Sequence, residues 1–156
     1  MTKDDPQYLE FRELCGQRKL AATVQRFIVY QTLAGMKNHP TADMIYEQLH
    51  PENQKVSRMS VYRILDTFSR CRMIRRLNHP GAATHYDAFM TPHHHLICVN
   101  CGSVLDVDQS EGEHIDISAC QIPPGYQILD TTVDIQGICP DCGAEIQDFL
   151  KPGRDN

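Results

Sequence analysis

Between Ala21 and Met36 the apolar positions Val24, Phe27, Ile28, Leu33 and Met36 recur mostly at three- and four-residue steps, the period of one helix face. Thr23 stands before the run as an N-cap and Gly35 lies near its end. The stretch HPTADMIYEQL predicts a second, shorter helix capped by Thr41, with Met44, Ile45 and Leu49 on one side. In SRMSVYRILDTFSR, Val61, Ile64, Leu65 and Phe68 fall at i, i+3, i+4 and i+7, and Ser57 or Ser60 can cap the start. The opposite face of this third helix carries Arg58, Tyr62, Arg63 and Thr67, side chains able to reach base edges and phosphates.

The period then shortens. MIRRLNHPGAATHYD reads as two short β runs around a Pro80-Gly81 turn, with Arg75 and Arg76 on the first run. Helix, helix, polar-faced helix and basic hairpin, in that order, predict a winged helix-turn-helix whose last helix enters the major groove. The competing reading is a small helical domain whose arginines form a solvated face. Further on, HHHLIC read as a strand places His93 and His95 on one face and His94 on the other. If Cys98 to Cys101 turn a hairpin, positions summing to about 199 lie opposite one another. That register sets Asp106 of VLDV across from His93.

Charge sharpens the division. The net charge of −5 hides thirteen Lys and Arg against eight Asp and Glu up to His85, and two against twelve beyond it. The first part suits a phosphate backbone and the second does not. A length of 156 residues allows one domain or two small ones. The opening MTKDDPQYLEFREL has no apolar signal core, and no run approaches the ~20 apolar residues of a membrane span, so the expectation is a cytoplasmic protein.

Seven cysteines, four of them in two CxxC pairs, favour metal or redox chemistry over a secreted disulfide framework. CVNCG at Cys98 and CPDCG at Cys139 match each other, and each glycine suits a tight turn that lets two thiolates converge. Two such knuckles make the four-thiolate site that structural zinc prefers: Cys98, Cys101, Cys139 and Cys142. A thioredoxin-like dithiol needs one CxxC at a helix start in a βαβ unit instead. Cys15, Cys71 and Cys120 fit no such spacing and are expected to be ordinary buried or half-buried thiols. His93, His95 and Asp106 form a second candidate cluster, of nitrogen and oxygen ligands suited to Fe²⁺ or Mn²⁺ and also to zinc.

The combination ATVQR, NHPTADMIYEQL, SVYRIL, a hairpin ending HYD, HHHLICVNCG and ICPDCG resembles the ferric uptake regulator (Fur) family of metal-dependent repressors over nearly the whole chain. The resemblance implies an α+β fold: a winged-helix DNA-binding domain over 1–86, a hinge over 87–92, and a small α/β dimerisation and metal-binding domain with the four-cysteine zinc site over 93–156. It implies a homodimer on double-stranded palindromic operator DNA. It also adds His39 and Asp87 to His93, His95 and Asp106 as ligands of a regulatory Fe²⁺ or Mn²⁺. Aspartates at 87 and 106, where iron-sensing members usually have glutamates, resemble the peroxide-sensing branch, in which His39 or His93 is oxidised by Fe²⁺ and hydrogen peroxide. An iron-responsive repressor is the alternative. Pro92 in place of a further histidine, and no histidine near Asp130, depart from the iron sensors.

Two other classes compete, a non-haem iron enzyme and a zinc-ribbon interaction module. The first lacks an obvious substrate pocket or acid/base pair, and the second leaves the basic half unexplained. On the DNA face the expected contacts are Ser60, Tyr62 and Arg63, with Arg75 and Arg76 of the wing on phosphates.

Overall fold

The computed structural model describes residues 5–50, 56–78, 83–91, 93–107, 120–129 and 131–144. Pro80, Gly81, Pro92 and Asp130 lie outside the described residues. The chain divides into two compact units, Met1–Met90 and Thr91–Asn156.

Among the described residues the first unit holds four helices: α1 (Pro6–Gln17), α2 (Val24–Gly35), α3 (Ala42–Leu49) and α4 (Arg58–Arg70). A two-stranded wing follows, β1 (Arg75–Leu77) antiparallel to β2 (His85–Asp87). Each of the three expected helices is closed at its start by the side chain its sequence supplies. Thr23, Thr41 and Ser57 accept from the amides of Arg26, Met44 and Ser60, satisfying donors that a helix leaves open. Helix α1 is additional to those the periodicity predicts, although Asp5 caps it and Pro6 occupies its first turn.

The periodic positions form the core. Val61, Ile64, Leu65 and Phe68 of α4 are all buried, as their spacing predicts. In α2 the core positions are Phe27, Val29 and Leu33, whereas Val24 at the helix start stays 52% exposed. Phe11 of α1 joins them, its ring 5.6 Å from Phe27 and 6.1 Å from Phe68. The Tyr86 amide donates to the Pro40 carbonyl at 3.0 Å, and Thr41 bridges to His85. These bonds hold the His39–Thr41 segment along β2.

The described part of the second unit is a three-stranded sheet in the order β4-β3-β5. Strand β3 (His94–Cys98) pairs antiparallel with β4 (Val104–Val107) and parallel with β5 (Asp134–Gly137). The hairpin register differs from the expected one by two residues: Asp106 pairs with His95, not His93. The cause is a longer turn, in which the Cys98 amide donates to the Ser103 carbonyl and the Gly102 amide to the Cys98 carbonyl. Because a slip of two preserves side-chain parity, Asp106 still shares a face with both histidines.

Candidate functional site

The four cysteine sulfurs of CVNCG and CPDCG lie within 4.8 Å of one another. Cys98 ends β3, Cys139 follows β5, and the parallel pairing of those strands brings the knuckles together. Gly102 sits at φ 74°, so the first knuckle does need a glycine. Gly143 does not have a left-handed backbone; it lies in a helical turn over 140–144, and a Cβ there would meet only the Ile138 side chain at 4.0 Å. The two matching motifs therefore reach the same thiolate geometry by different local folds.

A tetrahedral zinc with bonds of about 2.3 Å sets its sulfurs about 3.8 Å apart. Cys101 and Cys139 have their sulfurs 3.8 Å apart. The Cys139 amide donates to the Cys98 sulfur at 3.3 Å, and the Cys142 amide to the Cys139 sulfur at 3.5 Å. The backbone amides of Cys101 and Cys139 hold the Cys98 thiol down at about 6. For Cys142 the Asn100 side chain pulls downward, but the Cys139 thiol, burial and the other two thiols outweigh it and push the group up to about 12. Four converging thiols with at least one already ionised at neutral pH fit structural zinc. Among the remaining cysteines Cys15 is buried and Cys71 half-buried as expected, but Cys120 is exposed.

The second cluster occupies the buried side of the same sheet. His93 and His95 are 3% and 0% exposed, and their Nε2 atoms lie 2.9 Å apart. Asp106 Oδ1 stands 3.2 Å from His93 Nε2 and 3.8 Å from His95 Nε2. The His93 ring donates from Nδ1 to the Thr91 carbonyl at 2.8 Å, which leaves Nε2 as a lone pair. With a proton on His95 Nε2 the 2.9 Å contact is an N–H···N hydrogen bond to His93; with the proton on Nδ1 instead, two lone pairs and a carboxylate oxygen converge on one point that suits a cation. Ion–nitrogen bonds of about 2.1 Å at a right angle would set two ring nitrogens about 3.0 Å apart, close to the spacing observed. His94 points to the other face, as alternation requires.

In the first unit His39 and Asp87 are both buried. The His39 carbonyl takes a short hydrogen bond from the His85 ring, and Asp87 Oδ1 accepts from the Phe89 amide at 2.6 Å. His39 has φ 46°, a left-handed backbone that a residue preceding proline seldom adopts.

Tyr62 and Arg63 are exposed on α4. Ser60 is half-buried, its amide spent on the Ser57 cap and its hydroxyl 2.9 Å from that of Ser57. Arg76 is 3.6 Å from Asp66, which also pairs with Arg70 at 3.1 Å, and Arg75 stands opposite Asp87 in the wing. At the start of α4, Arg58 bonds Asp43 at 2.6 Å and lies over the Tyr46 ring. Asp43, Asp66 and Asp134 are site neighbours that the sequence pattern does not reveal, because each is defined by a tertiary contact.

The profile of the ferric uptake regulator family matches residues 17–136. The peroxide operon regulator of Bacillus subtilis is 28% identical over 85% of this chain and 91% of its own length. The peroxide-responsive repressor PerR of Staphylococcus aureus (strain Mu50) is 27% identical over 81% of this chain and 84% of its own. The solved structure of the Helicobacter pylori ferric uptake regulator, described as having three functional metal-binding sites, superposes with a TM-score of 0.67 at 22% identity. It covers 92% of this chain and 97% of that one, and shows the shared fold. No helix of the described residues is long and apolar enough to cross a membrane.

Proposed function

The chain belongs to the ferric uptake regulator family, and on that premise we propose that this metal-responsive repressor leaves its DNA when hydrogen peroxide oxidises a ligand of its regulatory metal. The family is one of transcription regulators, not enzymes. The observation that carries the reading is the convergence of two buried imidazole Nε2 atoms and a carboxylate oxygen in the second unit. The peroxide regulators among its relatives support the choice of signal.

In this reading the Cys98, Cys101, Cys139 and Cys142 thiolates hold zinc and close the sheet. His39 and Asp87 of the first unit join His93, His95 and Asp106 of the second around the regulatory metal. Both contributions from the first unit are buried, and His39 sits in a strained backbone of the kind that functional sites retain. Ligands drawn from two units couple metal occupancy to their relative orientation, and metal binding then shifts the population toward the DNA-competent state. In a homodimer that state would present two α4 helices to a palindromic duplex about one turn apart. The chemistry a bound Fe²⁺ would supply is reduction of hydrogen peroxide beside a histidine. His39 or His93 would gain one oxygen as a 2-oxo ring and lose its hold; a Mn²⁺ form would bind DNA without that vulnerability.

The test loads the zinc-replete protein with Fe²⁺ or Mn²⁺, binds it to candidate operator DNA and adds near-stoichiometric hydrogen peroxide. Peptide mass spectrometry then reads the peptides holding His39 and His93. Release of the iron form alone, with one added oxygen on a histidine, supports a peroxide sensor. Iron-dependent DNA binding with intact histidines would make the protein an iron-responsive repressor instead.

A further inference from the structure

His95 stands in a row across the sheet that none of the metal readings uses in full. Its register partner on β4 is Asp106, and its register partner on β5 is Asp134. The ring thus lies between two carboxylates, with Nε2 toward Asp106 at 3.8 Å and Nδ1 3.4 Å from Asp134 Oδ1. The imidazole is fully buried, while both aspartates are partly exposed. His93 is placed differently: its Nδ1 donates to a neutral carbonyl, that of Thr91.

We propose that Asp134 is a positioning residue for the regulatory metal, fixing His95 with Nδ1 protonated and Nε2 turned to the ion. This rests on the reading that His93, His95 and Asp106 hold that metal. A ring nitrogen has two roles to assign, and the acceptor beside one nitrogen decides which role the other plays. A carboxylate beside Nδ1 favours the proton there and raises the electron density at Nε2, strengthening the ligand. The 3.4 Å separation is longer than an ordinary N–H···O bond. A cation on Nε2 would make the Nδ1 proton more acidic and strengthen its attraction to the Asp134 carboxylate, so Asp134 would matter more in the loaded protein than in the metal-free one. Asp134 opens β5 after Thr131, Thr132 and Val133, a stretch with no ligand-like spacing, so only the parallel pairing with β3 reveals it.

The two histidines then differ in kind. His95, backed by a carboxylate, is the fixed ligand; His93, backed by a peptide carbonyl, is the more readily surrendered one.

The test titrates Mn²⁺ into the full-length, zinc-replete protein and into Asp134→Ala, Asp134→Asn, Asp134→Glu and Asp106→Ala variants. Asp134→Ala should weaken Mn²⁺ binding about 10- to 100-fold. Asp134→Asn, which keeps an acceptor without the charge, should fall between it and wild type, and Asp134→Glu should recover much of the loss. Zinc content and thermal unfolding of the Mn²⁺-free protein should be unchanged, and ¹⁵N shifts should move the His95 ring from Nδ1-protonated toward a mixture in Asp134→Ala. If Asp106→Ala binds Mn²⁺ like wild type, the site itself is misplaced. If Asp106→Ala loses the metal while Asp134→Ala keeps both its affinity and the His95 ring signature, the positioning role is wrong. Equal losses in Asp134→Ala and Asp134→Asn would reduce the effect to charge alone and also overturn it.

Discussion

At the scale of single residues, His39 is where stability and function pull apart. Its φ of 46° costs something that a metal ligand would justify and a structural residue would not. Asparagine tolerates the left-handed region better than most residues. His39→Asn should therefore leave the metal-free protein's thermal midpoint within a few degrees of wild type, or above it, while weakening the Mn²⁺ response of DNA binding at least tenfold. A variant that melts early and still responds to Mn²⁺ would assign His39 a purely structural role. The thiol cluster makes a second residue-scale prediction. At neutral pH Cys98, held down at about 6, is ionised and Cys142, pushed up to about 12, is protonated, so zinc binding must expel protons. The sign follows: zinc affinity falls as pH falls, and falls more steeply below about 6, where Cys98 also competes for a proton. Zinc release to a chromophoric chelator, followed from pH 8 to 5, should show that steepening. The four knuckle cysteines and His93 and His95 can be read from spacing because their chemistry is local to short motifs, whereas His39 and Asp87 come only from the family resemblance. Asp134 cannot, since it stands 39 positions along the chain from the His95 ring it faces.

The elements show the same contrast. Helix α4 is legible nearly residue by residue because its buried face is uniformly apolar and its exposed face is polar apart from Met59. Helix α1 buries Phe11 and Cys15 and half-buries Tyr8 and Leu14, a short stripe interrupted by exposed Leu9, and Asp5 and Pro6 mark its start. The β3–β4 hairpin is legible in face but not in register, since the turn holds Val99 to Gly102 rather than closing at Cys101. Removing the cap in Ser57→Ala should cost about 1 kcal/mol of stability, and Phe68→Ala, emptying a fully buried site, about 3–5 kcal/mol; chemical denaturation separates the two. Asp66 concerns binding rather than folding. Its pairs with Arg70 and Arg76 are solvent-exposed and each contributes little to stability. Asp66→Asn should then leave unfolding nearly unchanged but release Arg76 to phosphate, steepening the salt dependence of DNA binding. Arg63→Ala should do the reverse, weakening binding and flattening that dependence.

For the whole molecule, the uneven charge has a mechanical counterpart. Among the described residues, the hydrophobic core of the first unit runs from Phe11 to Tyr86 with Tyr8 and Ala88 packed against it, and every member lies within Met1–Met90. Such a core can fold alone, and it carries the basic face, so a fragment spanning residues 1–90 should be helical, cooperatively folded and able to bind duplex DNA weakly. It retains His39 and Asp87 but not His93, His95 or Asp106. If metal acts by joining ligands from both units, the fragment's DNA affinity should be the same with and without Mn²⁺, whereas the full chain's should rise with it. The comparison isolates coupling from folding, because circular dichroism verifies the fragment's fold before any DNA is added. A folded fragment whose affinity still climbs with Mn²⁺ would move the sensing site wholly into the DNA-binding unit. A full chain indifferent to Mn²⁺, beside an equally indifferent fragment, would remove metal from the regulation of DNA binding and leave zinc as a purely architectural ion.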